Sequence, residues 1–125
     1  MNKQKKLYNK LVKQFEDSVS VTEFKSNQRW VMLHIDKIVS LYSFLEVGKP
    51  VKTTIDGITR VSILKEFIIS LGFNNFIGIG TGFGNIWYYE AKEPTEEEKK
   101  KFDGRCLIVE DNLNIFKSIT YNNII

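Results

Sequence analysis

The chain is poor in the residues that staple or ligate. It holds one cysteine, Cys106, and one histidine, His34. A single cysteine excludes an internal disulfide and a cysteine-based zinc site, and a single histidine removes most other zinc sets. With no disulfide framework the sequence reads as a protein of a reducing, cytoplasmic compartment. Proline occurs twice, at Pro50 and Pro94, and no Pro/Gly/Ser-rich linker, internal repeat or low-complexity tract divides the chain. No stretch approaches the ~18 apolar residues that span a bilayer. The basic start, Met1 to Lys6, has no apolar signal region after it, because Lys10 and Lys13 interrupt it. These absences predict one soluble domain over residues 1–125, with no membrane partner, no metal and no cofactor.

Against this stands a generous supply of core-forming side chains. The 125 residues are 42% hydrophobic and include nine Phe, five Tyr and two Trp. A chain of this size builds one core without staples. The net charge of +3 is unevenly placed. Lys3, Lys5, Lys6, Lys10 and Lys13 give the first thirteen residues +5 with no acid among them, which leaves +3 − 5 = −2 for the rest.

Hydrophobic spacing gives a first outline. Leu7, Tyr8, Leu11, Val12, Phe15 and Val19 recur at three and four, so residues 3–18 are expected to be helical. The alternation Val19-Ser-Val-Thr-Glu-Phe-Lys25 reads as a strand, Ser26-Asn27-Gln28 as a loop, and Arg29 to Ile35 as a second strand or the start of a helix. Asp36 then caps a helix to Val47, stopped by Gly48-Lys49-Pro50. Val51 to Ile55 and Ile58 onward flank Asp56-Gly57, a strong hairpin turn. Ser62 is read as the cap of a helix that buries Ile63, Leu64, Phe67, Ile68 and Leu71 and ends at Gly72. Asn75 to Ile79 and Ile86 to Lys92 are expected to pair as strands. Pro94 and Thr95 open a short helix to Phe102, with three Glu before three Lys to suit the helix dipole. Cys106 to Glu110 and Ile115 to Tyr121 complete a final hairpin. Three or four helices with hairpins, rather than βαβ units, define an α+β fold with a largely antiparallel sheet.

Four constellations invite a chemical reading. Gly78, Gly80, Gly82 and Gly84 have neither the spacing nor the following helix of a dinucleotide fingerprint. The run is similar to a kinase glycine-rich hairpin one residue short, but too little chain follows for kinase machinery. Glycines that admit a bulky ring or another backbone explain it better. Asp56, Glu90 and Lys92 suggest a Mg²⁺-dependent nuclease, with Glu90 and Lys92 on one strand face. His34 with Asp36 and Arg29 offers an acid–base pair, though Asp36 serves as a cap and no nucleophile stands beside them. Cys106, in Cys-Leu-Ile-Val, sits in the context of a buried, inert thiol.

The aromatic set Phe83, Trp87, Tyr88 and Tyr89 carries the most weight. Ile86 and Tyr88 are expected to face one way and Trp87 and Tyr89 the other. If helices leave the second face bare, Phe83, Trp87 and Tyr89, with Arg60 and Arg105 beside them, form a surface of hot-spot residue types. The leading expectation is therefore a non-enzymatic protein-binding module of the inhibitor, antitoxin or immunity kind. Two alternatives stand beside it: nucleic-acid binding by the Lys3, Lys5, Lys6, Lys10 and Lys13 helix, and the Mg²⁺-dependent nuclease.

Overall fold

In a computed structural model that describes residues 3–41, 44–72 and 74–112, two long helices are followed by two small sheets. Helix α1 spans Lys3–Ser18 and buries Leu7, Leu11 and Phe15 at helical spacing. Helix α2 spans Val21–Ser40: the strand expected over 19–25 is helical from Val21 on, the loop over 26–28 is helical, Arg29 to Ile35 takes the helical alternative, and 36–40 are helical as expected. The reason lies in its cap and its buried stripe. Ser20 Oγ accepts from the Glu23 N–H at 3.1 Å, and Glu23 Oε2 accepts from the Ser20 N–H at 3.4 Å, a reciprocal capping box. Downstream, Phe24, Val31, Ile35 and Ile38 are buried at spacings of seven, four and three. Asn27 fills the gap in that stripe: its amide bonds the Glu23 carbonyl and its Oδ1 accepts from Asn75. Asp36 is thus an exposed mid-helix residue and caps nothing, and the helix stops at Ser40 rather than Val47.

Strands β1 (Pro50–Ile55) and β2 (Ile58–Ile63) form the expected hairpin. Asp56 (φ 53°) and Gly57 (φ 80°) both take left-handed backbone, as a two-residue hairpin turn requires. The helix expected after Ser62 is absent. Ser62 lies in β2, and strand β3 runs over Glu66–Ser70. Ile63, Leu64, Phe67 and Ile68 suit either period. Pairing of β3 with β4 (Phe76–Thr81) decides the matter, a non-local contact that local spacing does not encode. Strand β5 is short, Gly84–Trp87, and Tyr88–Glu90 turn into one 3₁₀ turn. Helix α3 (Glu96–Lys101) is capped by Thr95 and Glu98 in a second capping box. Strand β6 (Cys106–Asp111) is the expected strand; its expected partner, 115–121, lies outside the described residues.

The strands form two antiparallel three-stranded sheets, β1-β2-β6 and β3-β4-β5. The fold is α+β, with three α-helices among the described residues. In the second sheet Phe67, Ile77, Ile79 and Ile86 share one face and join Leu11, Phe15, Val31 and Ile35 in a single core. The other face carries Ile68, Phe76, Gly78, Gly80 and Trp87. The first sheet contributes Val51 to the same core. Lys52 Nζ reaches Glu98 at 3.0 Å and ties α3 to β1.

One buried polar atom is left over. Ser62 is 2% exposed and its Oγ has no hydrogen-bond partner among the described residues. An unsatisfied buried hydroxyl is a net cost. Ser62→Ala is expected to stabilise the protein by about 1 kcal/mol, read as a higher urea midpoint at unchanged slope; a lower midpoint contradicts this account of the hydroxyl.

Candidate aromatic surface

The rings that the sequence singles out fall into two groups. Phe83 sits at the tip of the β4–β5 turn, where the Thr81 hydroxyl accepts its N–H at 3.2 Å. The ring is 44% exposed, and the Arg60 guanidinium carbon lies 4.6 Å from its centroid. This is cation–π geometry, so Arg60 and Phe83 do meet. Trp87 ends β5 and Tyr89 follows in the 3₁₀ turn, with Phe83 and Trp87 separated by four steps of extended chain, about 13 Å. Arg105 is exposed, and its backbone N–H bonds Asp103. Among the described residues no contact joins the Arg105 side chain to any of these rings.

Around Trp87 the structure assembles more than the sequence suggests. Trp87 and Tyr89 are stacked at 5.4 Å with 23° between their planes. Phe76 meets Trp87 edge-on at 4.8 Å. Tyr88 turns inward, 1% exposed, and its hydroxyl is 2.8 Å from His34 Nδ1. His34 in turn lies 4.4 Å from the Trp30 ring and 6.4 Å from Trp87. Rings from α2, β4, β5 and the 3₁₀ turn thus make one continuous array. Its outermost member, Tyr89, is 57% exposed; Trp30, His34, Phe76 and Trp87 are half-buried. Leu33, 54% exposed, adds apolar area on α2. Trp30, His34 and Phe76 are absent from the sequence-based site. Trp30 and His34 are four apart on α2 and so share a face, a signal hidden by reading this stretch as strand.

One glycine of the run, Gly78, finds its explanation here. Gly78 pairs with Trp87 across β4–β5, and a methyl group at Gly78 would strike the Ile86 carbonyl and the Phe76 ring. The glycine is the space in which the rings meet.

Burial, and Lys37 one turn along, hold the His34 pKa below the usual histidine value. Burial raises that of the Tyr88 phenol. Both groups are therefore neutral near pH 7. Which atom donates across the 2.8 Å contact follows the imidazole tautomer. A histidine with a lowered folded pKa takes up its proton in the unfolded chain first, near pH 6.5. Its contribution to stability is full above that value and is lost as pH falls through the folded pKa. The urea stability of the protein is expected to fall on acidification below about pH 6.5 by more than that of His34→Gln. Parallel pH profiles for the two proteins contradict this reading.

The remaining candidates separate. Glu90 belongs to the 3₁₀ turn, so Glu90 and Lys92 do not share a strand face as the nuclease reading requires. The Lys92 backbone bonds Lys52 at 2.9 Å in both directions, midway along β1, while Asp56 lies at the hairpin tip. No group of three His, Cys, Asp or Glu placed to hold a metal occurs among the described residues. His34 faces Tyr88, and Asp36, two residues on, projects from another side of α2. Cys106 is only half-buried, and Ile108 and Val109 after it are exposed, so β6 is less enclosed than its sequence suggests. The lysines of α1 are all exposed: Lys3, Lys6, Lys10 and Lys13 form one stripe at spacings of three and four, with Lys5 outside it. No helix among the described residues is long and apolar enough to cross a membrane.

The chain matches no protein-family model, no curated protein and no solved structure.

Proposed function

We propose that this protein is a protein-binding module whose aromatic surface, centred on Trp87 and Tyr89, covers and blocks a partner protein, in the manner of an inhibitor, antitoxin or immunity protein. The observation that carries the reading is the stacked Trp87–Tyr89 pair, exposed at Tyr89 and braced from behind by Phe76, Tyr88 and His34. Trp and Tyr are the residue types most enriched at binding hot spots. Rings already locked by neighbours lose little freedom on binding, which lowers the cost of association. Leu33 and the half-buried Trp30 extend the apolar area beside them, and Arg29 and Lys37 on α2 supply a charged rim. Arg60 and Phe83 form a smaller outlying contact at the far end of β5.

The test is paired capture from the cell of origin with the wild-type protein and with Tyr89→Ala. A partner retained by the first and lost by the second, with both proteins folded, supports the reading. Equal capture by both contradicts it.

A further inference from the structure

The stripe of lysines on α1 borders a cavity on the opposite edge of the second sheet from Trp87. The cavity holds about 210 Å³. Its apolar lining is Leu7 and Leu11 of α1, Phe67 of β3, and Val47 at the mouth, which is 46% exposed. Lys3, Lys6 and Lys10 form one wall. Gln14 Nε2 donates to the Phe67 carbonyl at 3.0 Å and fixes α1 to β3 at the inner end. The acid at the rim, Glu46, is paired with Lys49 at 2.6 Å. No acid pairs with Lys3, Lys6 or Lys10 among the described residues. The space is smaller than the ~300–1,000 Å³ of a drug-sized ligand site, so it suits one bulky apolar group. The charge does not stop at its mouth. Lys13 continues the row, and ten residues of helix carry it over about 15 Å until Asp17 ends it.

A single apolar socket beside a longer positive row has a chemical complement. We infer that it receives one Phe- or Leu-sized side chain of an acidic peptide segment on a protein partner, whose carboxylates pair with Lys3, Lys6, Lys10 and Lys13. A polyphosphate backbone matches the row but leaves the socket without an occupant, and lysine rather than arginine suits charge pairing more than base reading. This site is separate from the aromatic surface, so each can fail alone.

The probes are a short fluorescent peptide of Glu residues around one central Phe, the same peptide with Ser in place of Phe, and a single-stranded oligonucleotide of equal charge, each followed by anisotropy. The Phe peptide is expected to bind at least about tenfold more tightly than the Ser peptide. Lys6→Glu with Lys10→Glu is expected to weaken both peptides, and Val47→Asp at the mouth to abolish the advantage of Phe. Tyr89→Ala is expected to leave peptide binding unchanged, which separates this site from the aromatic one. Equal binding of the Phe and Ser peptides, tighter binding of the oligonucleotide, or no binding of the Phe peptide overturns the inference.

Discussion

Gly78→Ala is expected to destabilise the protein by at least about 3 kcal/mol, a large share of the ~5–15 kcal/mol that holds a typical domain together. Gly78 is buried in β4, the central strand of its sheet. An added methyl meets the Ile86 carbonyl of β5 and the Phe76 ring. The ring can rotate away. The carbonyl cannot, because β5 is pinned beside β4 by its ladder, with Ile86 opposite Ile79 and Trp87 opposite Gly78. Relief therefore requires the two strands to part, which also uncouples Phe76 from Trp87. Gly82→Ala is the control. Its methyl would come 3.3 Å from Lys65 Nζ, the far end of a flexible side chain, and the expected change is within about 0.5 kcal/mol. Urea denaturation of the two variants measures the contrast. Similar stabilities would mean that Gly78 is not needed for the close approach of β5 and the Phe76 ring.

Tyr89→Ala is expected to weaken partner binding by at least about thirtyfold, the loss of ~2 kcal/mol that marks a hot-spot residue, with little change in stability. The second half of that statement follows from its 57% exposure. Trp87→Ala is the weaker test, because Trp87 is half-buried and packs on Phe76, so its loss mixes binding with folding. Phe83→Ala is expected to matter less than Tyr89→Ala. Phe83 lies at the far end of β5 and engages Arg60 rather than the Trp87 array. Arg105→Ala, with no contact to either group, is expected to leave binding unchanged.

Legibility in the sequence followed the range of the interaction responsible. Helix α1, the hairpin at Asp56-Gly57 and the capped α3 were readable because spacing, a turn dipeptide and a Pro-Thr start each act within a few residues. Helix α2 carried conflicting local signals. Val19 to Lys25 alternates as a strand does, while Ser20 and Glu23 form the capping box that prevails in the structure. Its buried stripe is also broken by Asn27, whose partner Asn75 lies 48 residues away. The stretch from Ser62 to Leu71 fits a helix by spacing and becomes strand only because β4 is available to pair with it.

The site was legible to the same degree. Strand alternation separates Ile86 from Trp87, but the burial of Tyr88 and the exposure of Tyr89 arise in the 3₁₀ turn after β5, which the expected strand to Lys92 does not contain. The grouping of Trp87 with Trp30, His34 and Phe76 rests on packing between α2 and the sheet, which no local pattern carries. Of the two arginines expected beside the rings, Arg60 meets Phe83, and Arg105 makes no ring contact among the described residues.

A photo-crosslinking side chain installed at position 89 gives the most direct measurement, with the same group at exposed Lys65 as control. On illumination in cells, position 89 is expected to yield one discrete adduct with a single protein, and position 65 none. Adducts of the same pattern from both positions, or none from position 89, would contradict a partner seated on the Trp87–Tyr89 surface.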